Sequence, residues 1–240
     1  MKRIVVSAVV LVLAGCSTVQ SKDVRTSGIS ATYVVTVPET TQVADVSASY
    51  RVGTLTFIEL GDGESVTSSG GGKDVKLKHH KPAGVTDYDG QLDGAVAAGT
   101  EITFDLTRGS ADDSAPKSTV KLPERVKLTA PVTGTTYSRR AALAVRFDSR
   151  PSDLPSLVTW AGSCVQTGSV HLEPGRTSVS ITPGSIRPVT VTPTPGVKPA
   201  TTCPVDITLT RRTEGTLDKA FKDGSITAET QSTRQITSTP

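Results

Sequence analysis

The chain has 240 residues, with 26 Lys and Arg against 23 Asp and Glu, and a net charge of +3. No basic block occurs, and Arg139-Arg140 and Arg211-Arg212 are isolated pairs, which argues against the clustered basic face that nucleic-acid binding needs. Aromatic residues make up 4% of the chain, too few for a platform of several rings that stacks sugars or bases.

In chain order, the first element is an export signal. Lys2 and Arg3 precede an apolar run from Ile4 to Leu13. A run of this length cannot cross a hydrocarbon core of roughly 30 Å as a helix, but it matches the apolar region of a signal peptide. Leu13-Ala14-Gly15-Cys16 closes the run. This order predicts a lipoprotein signal over residues 1–15, its removal, and fatty acylation of Cys16. Two or more acyl chains meet the condition for stable membrane anchoring. Loss of Lys2 and Arg3 takes the balance from +3 to +1. Residues 16–28 then read as a lipidated polar tether. Ser17, which is not acidic, resembles the sorting pattern that directs lipoproteins to the outer membrane where the host has one.

The remainder reads as β structure. Ile102, Phe104 and Leu106 alternate with polar neighbours, as do Val205, Ile207 and Leu209, and Leu143, Val145 and Phe147 alternate with Ala144, Arg146 and Asp148. A period of two predicts antiparallel sheets with one wet face. Gly61-Asp62-Gly63, Gly70-Gly71-Gly72, Asp89-Gly90, Pro174-Gly175 and Asp223-Gly224 supply turns. Many short strands separated by such turns predict an all-β fold of two tandem immunoglobulin-like antiparallel β-sandwich domains. The expected division is 29–122 for the first domain and 123–240 for the second, with a short hinge at Pro123-Glu124. Pro183, Pro188, Pro193, Pro195, Pro199 and Pro204 mark a stiff extended segment, read as a surface crossover or, alternatively, as a ligand for a proline-reading partner.

The run Leu128-Thr129-Ala130-Pro131, then Gly134, Tyr137-Ser138-Arg139, Leu143-Ala144-Val145-Arg146-Phe147 and Gly162-Ser163-Cys164 carries a resemblance. So does the ending Gly215-Thr216-Leu217-Asp218-Lys219-Ala220-Phe221 with Gly224-Ser225-Ile226-Thr227-Ala228. The chain resembles a family of bacterial lipoproteins with immunoglobulin-like β-sandwich domains and no assigned activity. The resemblance covers mainly residues 115–230 and more loosely 50–110, and it implies fold and location, without a mechanism.

Candidate chemistry is sparse. With Cys16 acylated, Cys164 and Cys203 remain, and an exported compartment can oxidise them. Cys203 shares a strand face with Val205, Ile207 and Leu209, and Cys164 shares one with Val158 and Trp160. Both point inward, so a disulfide across the second sandwich is expected; a thiol nucleophile is the rival reading. His79 and His80 are adjacent on a strand and face opposite ways. With His171 they lack zinc spacing, so no metal site is expected. Asp87, Asp89 and Asp93 lack the spacing and closing glutamate of a calcium loop, and Asp112-Asp113 reads as a solvated loop. There is no Gly-x-Ser-x-Gly elbow, no Ser-Asp-Asn or Lys-Thr-Gly element, and no phosphate or dinucleotide loop. No cofactor and no catalytic residue are expected. The resulting reading is an exported, non-enzymatic lipoprotein. It would be held by its N-terminal lipid at the cell membrane or outer membrane and bind an envelope protein or polymer, not nucleic acid. The alternative is a hydrolase of an envelope polymer that uses loop carboxylates.

Overall fold

The computed structural model describes residues 17–81, 85–109, 113–148, 154, 156–189 and 201–240. Cys16 and the residues before it lie outside this set, as do Asp112 and residues 190–200 of the Pro-rich segment. The described chain is an all-β sandwich. Short 3-10 turns occur at Ser21–Asp23 and Thr26–Gly28.

The strands in chain order are β1 (Ser17–Gln20), β2 (Ser30–Pro38), β3 (Val43–Val52), β4 (Thr56–Glu59), β5 (Ser65–Gly70), β6 (Lys73–Lys76), β7 (Lys78–His80), β8 (Asp87–Asp93) and β9 (Glu101–Thr107). They continue as β10 (Ala115–Lys121), β11 (Lys127–Ala130), β12 (Thr136–Ser138), β13 (Leu143–Asp148), β14 (Ser156–Gly162), β15 (Val165–Leu172), β16 (Ser178–Ile181), β17 (Cys203–Glu214) and β18 (Asp223–Thr239). One large sheet runs β1-β4-β3-β2-β18-β17-β14-β15, with β8, β7 and β12 attached to it. A four-stranded sheet, β10-β9-β5-β6, covers its lower half, and a three-stranded sheet, β11-β13-β16, covers its upper half.

The alternation that predicted strands also decides the two cores. Ile102, Phe104 and Leu106 of β9 point inward against Tyr33, Val35 and Tyr50 of the large sheet. The Tyr33 and Phe104 rings stack with centroids 4.4 Å apart, and the Tyr33 and Tyr50 hydroxyls share a hydrogen bond of 3.1 Å in the interior. Burial drives both phenols well above their ordinary range, so they serve as neutral hydrogen-bonding core rings. In the second core Leu128, Val145 and Phe147 face Val158, Trp160, Ile207 and Leu209.

Three features depart from the sequence expectations. First, the sheets are not purely antiparallel: β18 pairs in parallel with β2 and with β12, and β1 with β4. Second, residues 17–28 are no free tether. β1 adds to the sheet edge, Val19 and Val24 pack on the first core, and Ser21 and Thr26 are buried. The cause is Arg108, buried under this segment. Its guanidinium donates to the Glu64 carboxylate at 3.0 Å, to the Val24 carbonyl at 3.0 Å, to Thr26 Oγ1 at 2.9 Å and to the Ser21 carbonyl. Glu64 in turn accepts from the Ser21 hydroxyl and from the Gly61 N–H.

Third, the chain returns across residue 123. Phe221, Ile226 and Ala228 fill the first core, while Ile236 of the same strand fills the second. Between them the inward face of β18 carries Thr230, Ser232 and Arg234, which build a polar seam between the cores. Arg234 binds the Glu39 carboxylate through two nitrogens at 2.8 and 3.0 Å and the Leu128 carbonyl at 2.8 Å. The Ser232 hydroxyl also donates to Glu39, and Arg125 donates to the carbonyls of Pro38, Glu39 and Thr41. The hydrogen bond from Arg234 holds the Glu39 carboxyl below its ordinary value. A bidentate, charge-assisted pair of this kind fixes orientation, so the two cores are joined side by side along β17 and β18.

The parallel entry of β18 depends on Gly224. Its φ is +133°, and a Cβ there would sit 1.8 Å from the Ala31 carbonyl oxygen. Gly224→Ala must push β18 off β2 and adopt a conformation that L-residues avoid. It is expected to lower stability by about 2 kcal/mol, the size of comparable strain and overpacking effects. A chemical denaturation series checks this; an unchanged midpoint would mean that β18 does not enter as described.

Candidate binding surface

The sequence-predicted residues are scattered. His79 and His80 lie on β7 and, as expected for neighbours on a strand, face different surroundings. The His79 ring packs against Tyr88 at 5.4 Å and lies 3.9 Å from Glu59, whereas His80 stands opposite Asp87 in the β7–β8 register. His171 is far away on β15. Asp87, Asp89 and Asp93 share the outer face of β8. Burial and the Asp89 charge raise the Asp87 carboxyl above its ordinary value. Among the described residues no three His, Cys, Asp or Glu side chains converge in a way that could hold a metal ion. The Asp113 carbonyl accepts the Thr26 hydroxyl and so helps fasten the N-terminal segment.

Two Ser-x-x-Lys spacings occur, Ser114 to Lys117 and Ser118 to Lys121. Ser114 Oγ accepts the Arg108 backbone N–H at 3.0 Å, and Lys117 lies on β10. Catalysis by such a pair needs residues three apart to meet, as they do on a helix; on the regular part of β10 Ser118 is buried and Lys121 exposed on the opposite face.

Cys164 and Cys203 form a disulfide with Cα atoms 5.8 Å apart. Cys164 N–H also donates to Cys203 Sγ at 3.1 Å. The bridge ties the β14–β15 turn to the start of β17 at the far end of the second core, and both cysteines are buried there.

Two of the concave regions on the surface of the described residues bear on binding. One is a shallow trough of about 490 Å³ on the outer face of β2, β3 and β8, where Asp45 accepts from Gln91 at 2.8 Å and Asp89 lies nearby. The other is a groove of about 510 Å³ between β15 and the β13–β16 pair. The buried Val145 and Leu172 line it, and Arg146, His171, Glu173 and Arg176 stand exposed around it. This combination of an apolar base and a mixed, net basic rim was not visible in the sequence. Its members come from two sheets and from the turn at Glu173–Arg176, and only the fold brings them together.

The groove lies between two sheet edges, because β15 ends the large sheet and β16 ends the three-stranded one. The first residues of the Pro-rich segment already use the β15 edge. Val189 N–H donates to the Cys164 carbonyl at 3.0 Å, and Gln166 N–H donates to the Arg187 carbonyl at 2.8 Å. Val165 and Pro188 are bridged as in an antiparallel ladder. Beyond Gln166, no described strand pairs with the outer side of β15.

No family model matches the chain, and no curated protein matches it. Solved structures give weak similarity. A two-domain fibronectin type-III segment of chicken tenascin is 12% identical, covering 77% of this chain and 90% of that one, at a TM-score of 0.21. Fibronectin(III)-like modules of Clostridium thermocellum CbhA are 14% identical, covering 85% and 94%, at 0.20. The Bacteroides ovatus protein SGBP-B of a mixed-linkage glucan utilization locus, in complex with a mixed-linkage heptasaccharide, is 11% identical, covering 95% and 69%, at 0.21. Superpositions this low carry no argument, and the strand pairing above is what defines the fold.

Proposed function

We propose that the protein is an exported, lipid-anchored binding module that takes an extended segment of an envelope partner along the free part of the β15 edge. The observation that carries this reading is the half-used edge itself. The chain's own Arg187–Val189 stretch is laid against β15 as far as Gln166, and the positions from Thr167 to His171, paired on their inner side with β14, have no strand partner on the outer side among the described residues. An exposed edge is a template for an added strand, and such additions draw affinity from main-chain hydrogen bonds and selectivity from flanking side chains. Arg146 and Arg176 outnumber Glu173 at the rim, which favours an acidic segment. Anchoring rests on Leu13-Ala14-Gly15-Cys16, and export is supported by the disulfide, which persists in oxidising compartments.

A photo-reactive residue in place of His171 should crosslink to a partner in intact cells, and the same residue in place of Asp45 should not. Reversing both rim charges, Arg146→Glu with Arg176→Glu, should reduce that capture by roughly tenfold or more, the range for two charge-assisted contacts, while the melting temperature stays unchanged. Capture that is equal from both positions, or indifferent to charge reversal, would reject the β15 edge as the site. Replacing Cys16→Ala should release the protein from membranes; a wild-type chain that takes up no fatty acid would reject the anchor.

A further inference from the structure

The fold gives the anchor end of the molecule a definite face. Asp223, Ser30, Arg51, Phe57 and Thr18 lie in one register row across β18, β2, β3, β4 and β1. This row is the lower margin of the large sheet, and the turn between β3 and β4 projects beyond it. Ser17 is opposite Thr56, the first residue after that turn. At the turn stands Leu55, 61% exposed. Two other large apolar side chains are exposed among the described residues, Val132 at 68% and, less so, Val189 at 37%. Both of these belong to the upper half of the molecule, near Gln235 and Cys164. An isolated exposed leucine is unremarkable by itself. What singles out Leu55 is its neighbour: Cys16 is one peptide unit, about 3.8 Å of chain, from a residue paired beside the turn.

The second observation is that no flexible linker intervenes. From Ser17 onward the segment is held by the β1–β4 pairing and by the Arg108 hydrogen bonds. Acyl chains on Cys16 would therefore bring the Leu55 turn to the bilayer surface. Arg51, with its guanidinium 4.5 Å above the Phe57 ring, and the exposed Lys222, whose N–H is bonded to the Ile29 carbonyl, supply two cations at the same margin against the one exposed carboxylate of the row, Asp223. An apolar tip flanked by basic groups suits the boundary between headgroups and acyl chains.

We propose that the Leu55 turn is a second membrane contact, seated in the bilayer interface beside the lipidated cysteine, so that the body stands on the membrane with its disulfide end outward. This rests on acylation of Cys16. β18 runs from the lower margin to the disulfide end over 17 residues, so the upper end stands about 50 Å from the surface at roughly 3.3 Å per residue. The β15 groove is then presented to the periplasm or exterior and kept clear of lipid.

The test uses the full-length, acylated protein in vesicles of phosphatidylethanolamine and phosphatidylglycerol. Leu55→Cys and Val132→Cys each carry an environment-sensitive fluorophore, and acyl-chain brominated lipid is the quencher. Thermal melts of both variants verify folding. Quenching should be about threefold or more stronger at 55 than at 132, as expected for a side chain seated roughly 5–10 Å into the interface. Vesicle flotation is measured on the same samples. A protein that fails to float shows that the anchor reading is wrong, and this proposal falls with it. A protein that floats but is quenched equally at both positions, or not at 55, overturns the Leu55 contact alone.

Discussion

Reduction of the Cys164–Cys203 bridge is expected to lower stability by about 4 kcal/mol, from the chain entropy of a closed loop of roughly 40 residues. The sequence separation is 39, and the loop contains β15, β16 and the Pro-rich segment, so the unfolded chain gains much freedom when the bond opens. For a chain of this size that corresponds to a fall of about 8–16 °C in melting temperature. Calorimetry with and without a reductant measures it, and thiol counting on the denatured, unreduced protein should find no free cysteine. Loss of amide protection should begin in β14, β15 and β17, which the bridge ties together, and reach β9 and β10 last. A reduced protein with an unaltered melting temperature would show that the upper core holds the loop without help from the bond. The groove shares β15 with the bridge, so reduction should also weaken partner capture.

Arg108→Met is expected to cost about 3–5 kcal/mol, the usual consequence of removing one member of a buried ion pair. The Arg108 and Glu64 side chains are both nearly inaccessible, and the substitution would take from Glu64 its charged partner and from the Val24 and Ser21 carbonyls their guanidinium donor, leaving the Ser21 carbonyl with the Val24 N–H alone. Because those carbonyls belong to the N-terminal segment, the loss should release residues 17–28 before it unfolds the core. Limited proteolysis near Arg25 should accelerate far more than cleavage elsewhere. The wild-type protein carries a matching acid sensitivity. Burial by itself would raise the Glu64 carboxyl, but the hydrogen bonds from Ser21, Gly61 and Arg108 outweigh it and hold the group below its ordinary value of 4.5. Its folded form thus binds a proton less readily than the unfolded chain does. The contribution is fully present above the unfolded value and is lost as pH falls through the folded one. Glu39, bound by Arg234, behaves in the same direction. Denaturation midpoints should therefore fall steeply below about pH 4.5, where unfolded carboxylates titrate, and the Arg108→Met protein should show a shallower acid slope. Equal slopes would indicate that Glu64 does not draw its stability from Arg108. In vesicles, this variant should remain anchored while losing contact at Leu55.

Strand identity and core membership were legible in the residues themselves. Ile102, Phe104 and Leu106, and Val205, Ile207 and Leu209, could face only inward, because a period of two leaves no other way to bury them. The same parity placed Cys164 and Cys203 on inward faces, next to the apolar residues they now adjoin. What the strands paired with was not legible. Residues 17–28 look polar and free in isolation, and only the buried Arg108, far along the chain, makes their carbonyls valuable partners. The inward face of β18 reads Ile226, Ala228, Thr230, Ser232, Arg234 and Ile236, apolar, then polar, then apolar. That order is the signature of a strand crossing two cores and the seam between them, yet it acquires meaning only once Glu39 is known to lie opposite Arg234. The groove has the same character. Arg146, His171 and Arg176 sit on separate segments with no common spacing, so no local pattern connects them. Local alternation is a property of neighbouring residues and survives in the sequence; strand order, the parallel return of β18 and the meeting of charges depend on contacts between distant residues, which only the folded chain decides.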